Sequence, residues 1–137
     1  MKKGISFRVI ILLVWVFAML LPIYSFIRGS VSFKLAFDRV FQTQASHVVT
    51  HLFLYSVLAY LLASVLFRSG SSAKRLSLFV LMAVVAVAVA QEGIQMVSED
   101  VAFGLDEIFD VLVDLGGGII GIALFIKVHT IAERIKK

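Results

Sequence analysis

Apolar residues along this chain fall into four long runs that are separated by short polar stretches. A helix that crosses the hydrocarbon core of a bilayer needs about 20 mainly apolar residues, and each run is close to that length. The predicted spans are 9–27, 45–67, 76–97 and 108–126. We therefore expect an all-α membrane protein, a bundle of four transmembrane helices that forms a single domain over residues 1–137.

The first apolar run begins like a secretory signal, because Lys2 and Lys3 precede it. A cleavable signal also needs a small-x-small site after the apolar stretch, and nothing of that kind follows this run. We interpret it as a first helix that the protein retains.

The stretch between the first two runs has an amphipathic pattern. Phe33, Phe37, Val40 and Phe41 share one face at helical spacing, while the polar residues, Arg39 among them, lie elsewhere on the wheel. This pattern predicts a helix that lies in the membrane interface, either as a lid over a site or as a plain connector. Arg39 is the basic residue that we expect to reach an anionic lipid headgroup on this side.

Composition supports the membrane interpretation and removes several other classes. The chain is 61% hydrophobic and has one proline, and its four predicted spans leave no room for a soluble domain. It has no cysteine, which excludes disulfides and thiolate chemistry. The net charge of +4 does not indicate nucleic-acid binding, because basic residues in a membrane protein mainly set its topology.

The distribution of Lys and Arg predicts the orientation. If both termini are cytoplasmic, ten of the thirteen basic residues face the cytoplasm and three face outside. The positive-inside rule therefore favours a multi-pass protein of the cell membrane with both termini inside. Its second and fourth helices would run inward and its third outward.

Acidic residues are concentrated in "QEGIQMVSEDVAFGLDEIFDVLVDLGGG", residues 91–118, which holds seven of the nine Asp and Glu. In the predicted orientation, polar residues from three helices meet at the outer part of the bilayer. These residues are His47 and His51 of the second span, Glu92 and Gln95 of the third, and Asp110 and Asp114 of the fourth. We expect Glu99, Asp100, Asp106 and Glu107 to form a hydrated acidic loop that attracts cations.

An ionisable side chain inside a membrane is costly unless it is paired or faces water, so its presence points to function. On this ground His51, Glu92, Asp110 and Asp114 are candidate catalytic residues. The histidines could bind a metal or carry protons, or they could simply hydrogen-bond to neighbouring helices. Val48 follows His47, so the HExxH zinc signature is absent.

The run "LGGGIIG" contains a GxxxG pair, Gly117 and Gly121. In an apolar helix such a pair usually permits close helix packing, and we expect the matching small face to be Ala86 and Ala90 of the third helix. The run is not a phosphate loop, because no strand precedes it and no Lys-Ser/Thr follows. Small faces of this kind would also permit a homo-oligomer.

Three short motifs resemble the VanZ-like family of small integral membrane proteins. They are "HLFLYSVLAYLL" with His51 and Tyr55, "EGIQ" with Glu92 and Gln95, and "DVLVDLGGGIIG" with Asp110, Asp114, Gly117 and Gly121. The likeness covers roughly residues 47–126. Asp114 stands where the family pattern has asparagine, and the Arg usual between E-x-x-Q and the aspartate is missing.

The resemblance implies a cell-envelope protein, in a family named for association with resistance to the glycopeptide antibiotic teicoplanin, and it implies no settled reaction. Losing the Arg makes the site more acidic than the family pattern, which favours a cation in its place. A divalent metal such as zinc, manganese or magnesium would then be held by His51, Glu92 and Asp110. His47, Tyr55, Gln95 and Arg39 complete the candidate ligand-binding set.

Three functions stay open on these residues. The outer site could bind a lipid headgroup or a cell-wall-active ligand, with membrane lipids and lipid-linked molecules as partners. It could instead be a metal-dependent membrane enzyme that acts on a lipid-linked phosphate or ester. A proton- or ion-coupled transporter fits less well, because the inner halves of the predicted spans are apolar apart from Ser and Thr.

Overall fold

The computed structural model describes residues 6–21, 35, 43–67, 72–100, 102 and 104–135. Within these residues the chain is all-helical and has no strand. Its helices are α1 (Phe7–Leu20), α2 (Gln44–Leu66), α3 (Ala73–Glu99) and α4 (Leu105–Ile135).

Three of these helices are long and apolar enough to cross a membrane, and they match the second, third and fourth predicted spans. The segments that qualify are Gln44–Leu66, Ala73–Ser98 and Leu105–Ile131. The first predicted span is helical as far as Leu20, and residues 22–27 lie outside the described part of the chain. The predicted interfacial helix lies almost entirely outside it as well, and so does Arg39.

Local side-chain bonds explain where α2 and α4 begin. Thr43 caps α2, since its hydroxyl accepts a hydrogen bond from Ser46 N–H at 3.1 Å. Just before α4, Gly104 N–H donates to Glu107 Oε2 at 2.6 Å. A carboxylate in the first turn is also favoured by the positive end of the helix dipole.

The α3–α4 connection corrects the predicted acidic loop. Glu99 is the last residue of α3, and Asp106 and Glu107 belong to the first turn of α4. Asp100 ends α3 in a left-handed conformation, with φ at 54°, which Asp and Asn tolerate better than most side chains. Most of the expected loop is therefore two helix ends joined by a short connection.

Contacts along the helices define their relative directions. Arg8 near the start of α1 donates to Ser64 O near the end of α2 at 3.4 Å, and Trp15 Nε1 donates to Leu54 O at 3.2 Å. Helix α1 is therefore antiparallel to α2. By contrast α2 and α4 are parallel, since side chains near both starts pair with each other and Phe67 contacts His129 near both ends.

Helix α3 runs antiparallel to both α2 and α4 and covers one side of their interface. The α2–α4 interface is the most extensive one among the described helices. The core of the bundle holds fully buried apolar side chains from α2 and α3, which are Leu58, Ala59, Ala63, Val80, Val84 and Ala88. This apolar centre occupies the middle of the bundle and leaves the polar side chains to its ends.

Gly117 and Gly121 explain why α2 and α4 approach so closely. A methyl group at Gly117 would lie 2.7 Å from Leu52 O, and one at Gly121 would overlap Ser56 O of α2. The hydroxyl of Ser56 lies 3.0 Å from Gly117 O and so also bridges the two helices. The GxxxG pair therefore does serve helix packing, as the sequence predicted.

The expected partner of that pair was wrong. Ala86 and Ala90 of α3 are exposed, and the backbone of α2 takes the position predicted for them. Only Gly118, which points away from α2, faces α3, where an added methyl group would lie 3.1 Å from Val84. Gly117 and Gly121 of α4 thus pack against α2, whereas Gly118 packs against α3.

Candidate functional site

A row of polar side chains lies between α2 and α4, near the starts of both helices. On α2 the row consists of His47, His51 and Tyr55, each one turn below the last. On α4 the facing residues are Asp110 and Asp114, also one turn apart. Because the two helices are parallel and in register, each histidine meets one carboxylate.

His47 and Asp110 form the outer pair, at the mouth of the row. His47 Nε2 lies 3.2 Å from Asp110 Oδ1 and 3.1 Å from Oδ2. The two side chains are 35% and 15% exposed. This pair therefore lies where a molecule from outside the bundle can reach it.

His51 and Asp114 form the inner pair. His51 Nδ1 lies 2.8 Å from Asp114 Oδ1, and their side chains are 8% and 0% exposed. Such a bond fixes the orientation of the imidazole ring, as carboxylates commonly do for functional histidines. The rings of His47 and His51 lie 4.3 Å apart between centroids, so the two pairs are in contact.

Tyr55 and Gln91 close the row from below. The hydroxyl of Tyr55, which is fully buried, donates to Gln91 Oε1 of α3 at 3.0 Å. One turn further along, the bundle is filled by buried apolar side chains such as Leu58 and Val84. The polar row therefore ends at Tyr55 and does not continue through the bundle.

Glu92 of α3 completes the inner part of the site. The residue is 5% exposed, and its Oε1 has no hydrogen-bond partner among the described residues. Asp114 Oδ2 is likewise buried and unpartnered there. A buried carboxylate oxygen without a partner is unusual and calls for an explanation such as a bound ion or water.

Two overlapping groups of potential metal ligands result. One group is His47, His51 and Asp110, and the other is His51, Glu92 and Asp114; within each group the ligand atoms lie within 4.8 Å of one another. We call the five residues His47, His51, Glu92, Asp110 and Asp114 the polar cluster.

Basic side chains lie at the opposite end of the bundle. Those whose side chains the structure describes are Arg8 at the start of α1, Lys74 and Arg75 at the start of α3, and Lys127 towards the end of α4. Since these side chains are far along their helices from the polar cluster, none of them neutralises its three carboxyl groups. The described bundle therefore has an acidic end and a basic end.

The four candidate catalytic residues, His51, Glu92, Asp110 and Asp114, all lie in the polar cluster. The expected metal triad of His51, Glu92 and Asp110 is not one of the two groups: Asp110 bonds to His47, and the carboxylate grouped with His51 and Glu92 is Asp114. Asp110 and Asp114 share a helix face, and only their depth decides which one meets Glu92.

Gln95 and Gln91 show the same dependence on depth. The sequence favoured Gln95 as a ligand-binding residue, but Gln95 is exposed and lies outside the polar cluster. Gln91, one turn deeper, is the residue that bonds to Tyr55. The signal that could have found it is the buried tyrosine itself, whose hydroxyl needs a partner at its own depth.

Comparison with known proteins adds no identity, since no family model, curated protein or solved structure matches this chain. The likeness to VanZ-like proteins therefore rests on the short motifs alone. The function has to be argued from the geometry of the polar cluster.

Proposed function

We propose that this chain is a multi-pass membrane protein of the cell envelope whose polar cluster faces outside and binds the headgroup of a lipid or of a lipid-linked cell-wall molecule. The observation that carries the proposal is the form of the cluster. It is partly exposed at His47 and Asp110, buried at His51 and Asp114, and ends at the buried Tyr55. A polar cluster that is partly exposed at one end is suited to contact the polar end of a molecule whose apolar part stays in the bilayer.

The proposed orientation places both termini in the cytoplasm, with α1 as the first of four spans. What supports it is the separation of charge along the bundle, with basic residues at one end and acidic residues at the other. By the positive-inside rule, the end with Arg8, Lys74, Arg75 and Lys127 is cytoplasmic. The polar cluster then lies at the outer leaflet.

A binding role is favoured over transport by the depth of the polar row. Transport of an ion or proton through the bundle needs polar groups or water along the whole path. In the described helices, the interior beyond Tyr55 is apolar, with Leu58, Ala59 and Val84 fully buried. The row gives access from one side only.

Membership of the VanZ-like family is part of the proposal. Its support is that the motif residues, which lie far apart in sequence, share one interface: His51 meets Asp114, Glu92 lies beside them, and Gly117 packs on α2. By that resemblance the protein would act in tolerance of glycopeptides such as teicoplanin. Association into a homo-oligomer stays a prediction.

A second function, a metal-dependent enzyme acting on a lipid-linked phosphate or ester, is favoured by one observation. Glu92 Oε1 and Asp114 Oδ2 are buried without a described partner, in a group with His51. Enzymes that act on phosphate usually stabilise its charge with Arg, Lys or a metal. Since no described basic side chain lies at this end, a metal would have to supply that charge.

The test of headgroup binding is a lipid panel presented to the detergent-purified protein. Native mass spectrometry would compare retention of phosphatidylethanolamine, phosphatidylglycerol and a polyprenyl phosphate by the wild type, by His47→Ala and by Asp106→Asn. His47 lies at the mouth, whereas Asp106 is an exposed acid at the same end of the bundle.

We expect selective retention of one headgroup class by the wild type and by Asp106→Asn, and weaker retention by His47→Ala. Equal retention of all three lipids by all three proteins would overturn the proposal. In that case the lipids would bind only as a general annulus around the apolar surface.

A further inference from the structure

We infer that His51, Glu92 and Asp114 form a binding site for a single divalent cation, of the zinc or manganese class. This inference deepens the proposed function and rests on it for the role of the site, because the cation would be what recognises the anionic part of a headgroup. The three residues come from three different helices, so the site exists only in the folded bundle.

Two buried carboxylate oxygens near His51 lack a partner among the described residues. Glu92 and Asp114 are 5% and 0% exposed, and each leaves one carboxylate oxygen without a partner in the described structure. An unsatisfied polar atom inside a protein costs free energy comparable to a lost hydrogen bond, and a charged one costs more. A cation bound by both carboxylates would reduce both costs.

The distances among the three ligand groups are short enough for one ion to bind them all after side-chain rotation. The ligand atoms of His51, Glu92 and Asp114 lie within 4.8 Å of one another. In a tetrahedral zinc site with ligand bonds of about 2.0–2.2 Å, the ligand atoms lie about 3.3–3.6 Å apart. Side-chain rotations that bring the three groups closer by up to about 1.5 Å would therefore complete such a site.

The charge and the donor atoms of the three residues also favour a divalent transition metal. Two carboxylates and one neutral imidazole carry a formal charge that a divalent ion balances, and the nearest described basic residues are at the other end of the bundle. Imidazole nitrogen combined with carboxylate oxygen suits zinc and manganese. A site that favoured magnesium or calcium would use oxygen ligands alone.

The other group of potential ligands, His47, His51 and Asp110, is the weaker candidate. His47 and Asp110 already satisfy each other at 3.1 Å and are partly exposed. Neither of them leaves a buried oxygen or nitrogen unpartnered. The outer pair therefore lies at the exposed end of the polar cluster and is not the group that we expect to bind the ion.

Three protein ligands leave at least one coordination position open, which is the pattern of zinc sites that bind water or substrate. That open position could accept an oxygen of a phosphate group. An acidic cluster would otherwise repel a phosphate. The proposed ion therefore decides which headgroups the polar cluster accepts: an ammonium group without the ion, and a phosphate with it.

The experiment is metal binding by the full-length protein in detergent, after treatment with a chelator. Calorimetry with zinc chloride and manganese chloride, together with metal content by mass spectrometry, would compare the wild type with Glu92→Gln, Asp114→Asn and the control Asp106→Asn. Gln and Asn keep the size of the side chain and remove its charge. The fluorescence of Trp15 would verify that each variant is folded.

We expect about one equivalent of metal in the wild type and in Asp106→Asn. Loss of an outer-shell partner typically lowers metal affinity by about 10–100-fold. In Glu92→Gln and Asp114→Asn we expect a larger fall, because each change alters a residue that binds the metal directly. Equal affinity in all four proteins, or no binding by a folded wild type, would overturn the inference.

A spectroscopic arm keeps the inference testable if the variants do not fold. Cobalt chloride added to the chelator-treated wild type should give the visible absorption of a low-coordinate Co²⁺ site with a nitrogen ligand. A spectrum unchanged from that of aqueous cobalt would refute the site without any substitution.

The lipid panel separates failure of this inference from failure of the proposed function. Metal binding without any headgroup selectivity would leave the ion site standing and reject the binding role. Headgroup selectivity in a folded wild type that binds no metal would reject the ion site and leave the binding role standing. Polyprenyl phosphate retained only with metal would support both.

Discussion

His51 Nδ1 of α2 lies 2.8 Å from Asp114 Oδ1 of α4, and both side chains are buried. This contact joins the two parallel helices of the most extensive interface. It also places a histidine and a carboxylate in a region that the sequence composition alone would assign to lipid. The pair therefore contributes to the packing of the bundle as well as to its candidate site.

Replacing Asp114 by Ala should destabilise the protein strongly. The change leaves His51 buried without its partner, and breaking a buried pair in this way costs about 3–5 kcal/mol. Asp114→Asn keeps an oxygen that can accept the bond from His51 and should cost clearly less. Unfolding in mixed micelles, followed by Trp15 fluorescence, would measure both variants.

The matched control for that pair of variants is Asp106→Ala, since Asp106 is exposed on the same helix. Surface substitutions of this kind usually change stability by about 0.5 kcal/mol or less. If the Ala, Asn and control variants were all equally stable, the His51–Asp114 contact would not contribute to the stability of the bundle.

Gly121→Ala should separate α2 from α4. The added methyl group would overlap Ser56 O and lie 2.9 Å from Ala59 Cβ, and overpacking of this kind typically costs about 1–3 kcal/mol. Gly93→Ala in α3 is the matched control, because nothing lies within 4 Å of its added methyl group. There the better helix propensity of Ala should leave stability unchanged or raise it by about 0.5–1 kcal/mol.

Both glycine variants would be compared by thermal unfolding in the same detergent. A loss at Gly93 equal to that at Gly121 would mean that the substitutions act on the helix itself. The close approach of α2 and α4 would then not explain the result.

The helices themselves could be predicted from sequence because membrane-spanning helices satisfy their own backbone and need only length and apolarity. The meeting of His51, Glu92 and Asp114 at one end also followed, since alternating helices carry residues to matched depths. The sequence did not predict, to within one helical turn, the depth of each polar residue in the bundle. Depth to within one turn decides that Asp114, and not Asp110, is grouped with Glu92, and that Gln91, and not Gln95, bonds to Tyr55.

The partner of the glycine face was unpredictable for a related reason. Small residues on α3, such as Ala86, and a backbone surface on α2, around Ser56, are both acceptable neighbours for Gly117 and Gly121. The choice depends on which helices are adjacent in the bundle, and no local pattern encodes that order. Gly118, the residue after Gly117, lies on a different face of α4 and packs against α3.

The proposed orientation can be tested with single cysteines, since the chain has none of its own. Asp106→Cys lies at the acidic end and Lys74→Cys at the basic end, and both positions are exposed. A membrane-impermeant maleimide added to intact cells should label the first and not the second. Labelling of Lys74→Cys alone would reverse the orientation and place the polar cluster at the cytoplasmic face.

Trp15 reports on the contact between α1 and the rest of the bundle. It is the only tryptophan, and its indole N–H donates to Leu54 O at 3.2 Å. Trp15→Phe keeps the aromatic ring and removes the donor, so we expect a loss of about 0.5–1.5 kcal/mol. The unfolding temperature of this variant, measured by circular dichroism, should fall while its helix content stays constant.

Arg8→Ala serves for comparison, because Arg8 is exposed and its bond to Ser64 O is longer, at 3.4 Å. Its effect should be smaller than that of Trp15→Phe. Equal effects would indicate that α1 is held by general apolar contact and not by the indole bond.

The parallel arrangement of α2 and α4 also dictates an order of assembly during synthesis. Helix α2 leaves the ribosome before α4, and α3 must turn back across the bilayer before α4 can lie beside α2. His47 and His51 therefore enter the membrane before Asp110 and Asp114 exist as partners. The polar cluster is completed only when α4 inserts, so a nascent chain stalled before α4 carries two histidines without their partner aspartates.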